Sequence, residues 1–330
     1  MTERPPRIWV LLGERRGDNN QMLGLAEALG TPFETRTMAY RSRWLLLLRL
    51  FPTRPFLLTG KSRRTLRPPW PDLVIGIGRR SVAVARWIKD KSGGRTKIVR
   101  LGNPRADTEL FDLVITTAQY PVPANGNVLV LPIAISRNSK PPKQTEAEAV
   151  RLAGLPRPHL LVSLGGTTRY WSLSEADVAS AVKRLSDKAA ASAGSLIVVS
   201  SPRTPGAVLK AIRATVPDCH VIADGSIRYP VLLADADEHY VTADSVSMIS
   251  EALLTGRPVG LIPVELDEEG ARDLGTGKFS SSRRDIRRFW KDLESKGLLG
   301  TIDKPASGSF DNPVTTAAAA VKRLLGNRVE

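Results

Sequence analysis

The stretch from Val241 to Glu265, VTADSVSMISEALLTGRPVGLIPVE, limits what this chain can fold into more than any other. A β-type run at His239–Thr242 meets a polar turn at Asp244-Ser245, and a helix-type segment carrying Glu251 follows. Gly256 ends that helix, Arg257-Pro258 turns the chain, and a second apolar run, Val259–Ile262, stops at Pro263. Two short apolar strands joined by a helix lie parallel, because a helical crossover returns the chain in the direction it came. The turn also has a chemical consequence. The free N–H groups at a helix start can hold an anion. Glu251 lies about two turns further on, where a carboxylate can accept from ribose hydroxyls or simply stand solvated on the helix. A nucleotide-diphosphate sugar needs that pair of contacts.

The same alternation runs through the chain. In the first half Ile8–Leu12, Leu73–Ile77, Lys97–Leu101, Leu113–Thr116 and Val128–Leu131 read as strands. Asn19–Leu29 and Ser81–Lys89 have helical spacing, and Gly13–Asp18 reads as a loop. The segment 136–158 is rich in proline and lysine at Lys140-Pro141-Pro142-Lys143 and reads as a linker. Beyond it come the strands His159–Leu164, Leu196–Ser200, His220–Ala223, His239–Thr242 and Val259–Ile262. Helices are expected at Ser174–Leu185, Gly206–Thr215, Ser282–Lys296 and Asn312–Leu325. The expected fold is α/β, two Rossmann-like domains facing across a cleft: 1–135, then the linker, then 159–330, with the last helix able to return to the first domain.

At 330 residues, 42% hydrophobic and 25% charged, the chain is long enough for two globular domains. One cysteine, Cys219, excludes an internal disulfide framework and a multi-cysteine zinc site, and a reducing compartment is expected. The N-terminal residues show no secretory signal pattern, and no run of 18 apolar residues occurs. The net charge is +15, and from Thr35 to Pro71 there are nine lysines and arginines and no acidic residue. Within that window Trp44–Phe51 is too short to span a bilayer. With Arg41, Arg43 and Arg49 at headgroup level and Trp44 among the lipids, it fits an anionic membrane surface. The same residues fit a buried inter-strand helix edged by exposed arginines. Nucleic acid is not expected as a partner, because the aromatics are few and clustered with leucines. The expected location is cytoplasmic, peripheral on the inner membrane.

Several loops after strands carry polar residues. Gly165-Gly166-Thr167-Thr168, with Arg169 next, lets backbone amides approach a phosphate, and equally makes a plain tight turn. Asp244, Ser245 and Ser247 serve as a helix cap, an anion site, or both. Arg169 and Arg203 are available to a diphosphate. The first loop, Gly13-Glu14-Arg15-Arg16-Gly17-Asp18, is neither a Walker loop nor a dinucleotide fingerprint. Its arginines suit a phosphate, while Asp18 either caps the next helix or, like Glu14, acts as the base on an acceptor hydroxyl. These groups can stabilise a leaving diphosphate without metal or cofactor. His159, His220 and His239 start or sit in apolar strands and read as structural.

Four segments in order, GERRGDNNQMLGLAEALG, SLGGTTRYW, SSPRTP and ADSVSMISEALLTGRPV, resemble the family named after the plant "elongated mitochondria" fission protein, which has many bacterial members. The match runs from Ile8 to about Val264. That family looks like the two-domain glycosyltransferases of the GT-B type. The related peptidoglycan N-acetylglucosaminyltransferase binds its nucleotide-sugar with a Ser…Glu…Gly-x-Pro segment. By that resemblance Glu251 is the ribose ligand, Ser245 to Ser247 the phosphate turn and Gly165-Gly166 the glycine loop. The GERRGD loop departs from that enzyme's longer glycine-rich loop with its histidine, so no base is carried over. The resemblance implies a glycosyltransferase acting on a lipid-linked or envelope acceptor; the plant member's recruiting role implies, alternatively, a non-catalytic membrane adaptor that keeps the fold.

Overall fold

The computed structural model describes residues 4–40, 58–104, 106–137, 142–168, 170–275 and 284–326. The chain divides into two compact units, Met1–Arg137 with Asp311–Glu330, and Asn138–Phe310. Each is a parallel sheet of six strands with helices on its faces.

In the first unit the strands are β1 (Ile8–Leu12), β2 (Phe33–Thr37), β3 (Leu73–Ile77), β4 (Lys97–Leu101), β5 (Leu113–Thr117) and β6 (Val128–Leu131), in spatial order β2-β1-β3-β4-β5-β6. Its helices are α1 (Arg16–Ala28), the short α2 (Gly60–Arg64) and α3 (Arg79–Lys91). Side chains of a strand alternate between faces, and here both faces are buried, so continuous apolar runs result. Ile8, Val10, Leu73, Ile75, Val99 and Leu101 pack under Met22, Leu25 and Leu29 of α1. Trp9, Leu11, Val74, Ile98 and Val114 pack under Val84, Ala85 and Ile88 of α3. Full burial of each large aliphatic side chain contributes about 1.5–3 kcal/mol. β2 escaped sequence reading because FETRT is a partly exposed, polar edge strand.

The second unit contains β7 (His159–Leu164), β8 (Trp171–Ser172), β9 (Ser195–Ser200), β10 (His220–Ile222), β11 (Glu238–Thr242), β12 (Val259–Ile262), β13 (Glu265–Leu266) and β14 (Gly300–Thr301). The main sheet runs β10-β9-β7-β11-β12-β14, and β8 pairs antiparallel with β13. The helices are α4 (Glu146–Ala153), α5 (Glu175–Ala191), α6 (Gly206–Thr215), α7 (Tyr229–Asp235), α8 (Val246–Leu253), α9 (Glu268–Gly275) and α10 (Ile286–Ser295). The expected unit of strand, turn, helix and strand is present as β11, α8 and β12, and Gly256 takes the left-handed conformation (φ 72°) that ends the helix.

Two sequence expectations are corrected, for the linker and for His220. The linker 136–158 contains α4, closed by a capping box between Thr145 and Glu148. Glu148 also accepts from the Arg228 backbone and guanidinium, which ties α4 to the start of α7 and holds its carboxyl well below the usual range. The last helix, α11 (Pro313–Leu325), falls in the first unit, the placement the sequence left open: Val314, Ala317, Ala318 and Val321 form one stripe in the core beside α1. His220 is exposed on edge strand β10, whereas His159 and His239 are buried.

Candidate functional site

Ligands of open parallel sheets sit beyond the carboxyl ends of the strands, where the strand order reverses. In the second unit the chain moves outward from β7 to β9 and β10, then resumes on the other side with β11. The loops after β7 and β11 therefore meet. Thr242 donates its hydroxyl to Asp244 Oδ1 (2.7 Å) and accepts the Gly165 N–H (2.7 Å). The Gly166 N–H goes to Asp244 Oδ2 (3.0 Å). A side chain at Gly165 would place its Cβ 2.2 Å from the Asp244 carboxylate, and one at Gly166 2.2 Å from the Arg203 carbonyl oxygen. The loop after β9 closes the other side, with Ser201 Oγ donating to the Gly165 carbonyl (2.8 Å) and Thr204 Oγ1 reaching the same oxygen (2.6 Å).

This geometry changes the role of the glycine loop. The Gly166 amide expected to face a phosphate is already bonded to Asp244, whose side chain is fully buried. Burial raises the Asp244 carboxyl; the Gly166 amide, the Thr242 hydroxyl and Arg203, 3.6 Å away, pull it back. Asp244 is thus a clasp between two loops, and Arg203 partly neutralises it. Ser245 caps α8 by accepting the Met248 N–H (3.4 Å). Ser247 is exposed in the first turn, where helix N–H groups lack intrahelical acceptors. Thr167 is exposed in the loop after β7. Glu251 is half-buried on α8, six residues past the cap, or about 9 Å along the axis. That is the order of the separation between the diphosphate and the ribose hydroxyls of a nucleoside diphosphate. Glu251 acts electrostatically on the Tyr229 hydroxyl at the start of α7. Trp290 of α10 donates to the Ala243 carbonyl (3.0 Å) and packs edge-on against Trp171 (5.2 Å), bracing the turn from below.

The first unit has its own reversal, between β1 and β3, and a cavity of about 570 Å³ opens there. Gly13, Glu14, Arg15 and Asp18 line it, as do Gly78, Arg79 and Arg80 at the start of α3. Tyr40, Asn103, Thr116, Gln119 and Tyr120 complete the polar wall. The volume is in the range of small-molecule sites. Asp18 does not cap a helix from Asn19, because α1 already begins at Arg16 and its cap residue is Arg15. The loop is closed instead by Asn19, whose side-chain amide bonds both the Gly13 N–H (2.9 Å) and the Gly13 carbonyl (3.0 Å). The Gly13 amide is therefore engaged, and Gly17 lies exposed in the first turn of α1. Glu14 pairs with Arg80 (3.4 Å), and the Tyr40 hydroxyl donates to the Arg80 carbonyl (2.9 Å).

Arg169, Arg41, Arg43, Trp44 and Arg49 lie outside the described residues, as does the side chain of Arg16. Sequence reasoning missed Thr242, Trp290, Tyr229 and Arg100. The Thr-x-Asp spacing just before the α8 cap was the one available signal for Thr242. The others are brought in by packing alone.

A model of the family described as mitochondrial fission ELM1 matches residues 16–325. The chain belongs to this family. The mitochondrial fission protein ELM1 of Arabidopsis thaliana is 27% identical over 311 residues, covering 82% of this chain and 68% of that protein. An uncharacterized protein of Rickettsia prowazekii (strain Madrid E) is 26% identical over 291 residues, covering 76% and 82%. Among solved structures, the UDP-GlcNAc 2-epimerase of Neisseria meningitidis bound to UDP-GlcNAc superposes with a TM-score of 0.52 at 12% identity, covering 97% of this chain and 99% of that one. This chain thus has a GT-B-like fold of two Rossmann-like domains.

Proposed function

We propose that this protein is a GT-B-like glycosyltransferase that takes a nucleotide-diphosphate sugar on its second unit and an acceptor hydroxyl in the cavity of its first. The observation that carries the reading is the meeting of the β7 loop, the Asp244-Ser245 turn and Glu251 at the strand reversal of the second sheet. The Neisseria neighbour with UDP-GlcNAc bound supports a nucleotide-sugar as the ligand class. Glu251 accepts from the ribose hydroxyls. The first turn of α8, with Ser245, Ser247 and Arg203 beside it, receives the diphosphate; Thr167 and Arg169 lie next in sequence to the clasped loop. Asp18, or Glu14, takes the acceptor proton as the acceptor oxygen bonds to the anomeric carbon. The bond to the diphosphate breaks, and its charge falls on the donors at the helix start. No metal or cofactor enters this scheme. The anionic membrane surface contacted by Arg41, Arg43, Trp44 and Arg49 belongs to the same proposal, with the protein peripheral on the cytoplasmic face of the inner membrane and an acceptor that is lipid-linked or an envelope glycan.

A second reading, a non-catalytic membrane adaptor, is favoured by one observation: Asp244 occupies the Gly166 amide that a transferase of this design would aim at its leaving group. Incubation with radiolabelled nucleotide-sugars and a membrane extract separates the two. The transferase reading predicts label moved onto an acceptor, and a loss of turnover of about 10²–10⁴ in Asp18→Asn with donor binding kept. Binding without turnover for every common donor refutes it in favour of the adaptor, and epimerised donor without transfer refutes it in favour of an epimerase.

A further inference from the structure

Arg100 is the largest charged side chain in the interior, 1% exposed in the middle of the first sheet. Its guanidinium donates to Ser81 Oγ (2.7 Å) and to the Asn103 carbonyl (3.3 Å). Both acceptors are neutral, and both belong to residues that line the cavity at the β1/β3 reversal. The Nε–H is buried without a partner. Asp18, Tyr120 and Tyr40, which act on the guanidinium electrostatically, line the same cavity. Burial outweighs them and pushes Arg100 down to about 10. Among the described residues, Arg100 makes no ion pair. A guanidinium held by two neutral acceptors and the face of the Phe111 ring (5.9 Å) is a buried charge compensated only in part, which is costly unless something negative arrives to balance it.

The rest of the wall carries the same sign. Arg15, Arg79 and Arg80 stand around the cavity, and of its two carboxylates Glu14 already answers Arg80. Two helices start at its rim, α1 after Arg15 and α3 after Gly78, and neither has a side-chain cap. Gly78 takes φ 75°, a conformation that favours glycine, and β3 passes straight into α3 there. Both helix dipoles therefore present their positive ends where a side chain would otherwise have satisfied them.

We propose that this cavity binds a phosphate or diphosphate group, held by Arg15, Arg79 and Arg80 on its wall and favoured by the charge of Arg100 behind Ser81 and Asn103. The inference deepens the acceptor half of the reading above, and rests on it for the word acceptor: the acceptor is a phosphate ester. Arg100 stands behind the wall rather than in it: its guanidinium holds Ser81 and Asn103, which line the cavity, and its charge adds to the positive field there, while the forks of Arg15, Arg79 and Arg80 fit phosphate oxygens.

The test is calorimetric titration of the full chain with inorganic pyrophosphate, comparing wild type with Arg100→Met and with the exposed-residue variant Arg79→Ala. Both substitutions lie in the first unit, so the differences report on this cavity. Arg100→Met is expected to weaken pyrophosphate binding by about threefold or more, as the charge behind the wall is lost. Arg79→Ala is expected to weaken it several-fold, and UDP binding stays unchanged in both. If Arg100→Met does not fold, the double variant Arg15→Ala with Arg79→Ala decides. Wild-type pyrophosphate affinity in the variants, or none in the wild type, overturns the proposal even if UDP binds. Loss of UDP binding in Glu251→Ala bears only on the second unit. Flotation with phosphatidylcholine vesicles, with and without phosphatidic acid, identifies the source. Retention that needs phosphatidic acid and Arg100 assigns the phosphate to a lipid headgroup; pyrophosphate binding without such retention assigns it to a soluble ester.

Discussion

Replacing Gly166 by alanine separates a clasp from a phosphate loop. The added Cβ would lie 2.2 Å from the Arg203 carbonyl oxygen and 2.4 Å from its carbonyl carbon. Both are backbone atoms, so the loop after β9 must move rather than one side chain turn aside. Overpacking of that kind costs about 1–3 kcal/mol. Moving the loop also strains the Ser201 and Thr204 bonds to the Gly165 carbonyl, and each such bond contributes about 0.5–1.5 kcal/mol. A loss of about 2–4 kcal/mol follows, and at about 2–4 °C per kcal/mol for a unit of this size Tm falls by roughly 5–15 °C. Differential scanning calorimetry reads it directly. Gly17→Ala is the control: nothing lies within 4 Å of a Cβ there, and on an exposed helix turn alanine is neutral or slightly stabilising. An unchanged Tm in Gly166→Ala, with nucleotide affinity lost, would show that the glycine serves the ligand and that the Asp244 clasp is not what holds the loops.

Stability should fall in mild acid because of His239. Thr255 donates its hydroxyl to the Ala252 carbonyl, so it accepts from His239 Nε2–H (3.0 Å), leaving Nδ1 buried with no partner. Burial, helped by Arg257, pushes the imidazole down to about 4. Against about 6.5 in the unfolded chain, the stability this provides is complete above pH 6.5 and is lost as pH falls toward 4, about 3 kcal/mol in all. Urea midpoints of wild type and His239→Gln at pH 7 and pH 4.5 check this; parallel pH dependences would refute it. The membrane contact is read by liposome flotation. Anionic vesicles should retain the wild type at low salt and release the variant carrying Arg41→Ser, Arg43→Ser and Arg49→Ser, and a wild type that never floats ends the idea.

Buried parallel strands announce themselves as short apolar runs, which is why Ile8–Leu12, Leu73–Ile77 and Val259–Ile262 were legible to the residue. β2, α4 and α7 were not, because a polar edge strand and two short helices draw their stability from neighbours rather than from their own periodicity. The site divides in the same way. Ser245, Glu251 and Gly256 sit at fixed offsets along one segment and could be read there. The clasp between Thr242, Asp244 and Gly166 spans residues far apart in sequence that meet only through sheet order. In sequence Arg100 is a charged residue in the strand Lys97–Leu101, with nothing to single it out. Its depth and its neutral partners are set by α3 and by the loop after β4.

On the proposed function, the α8 turn and Glu251 form a nucleotide-sugar site. Isothermal titration of wild type and Glu251→Ala with UDP-GlcNAc and the guanosine, cytidine and adenosine diphosphate sugars tests it most directly. One donor is expected to bind, Glu251→Ala to weaken it by about tenfold or more as a ribose contact to a charged group is lost, and Tm without ligand to move little, since Glu251 is only half-buried. Equal affinity in the two proteins would contradict it.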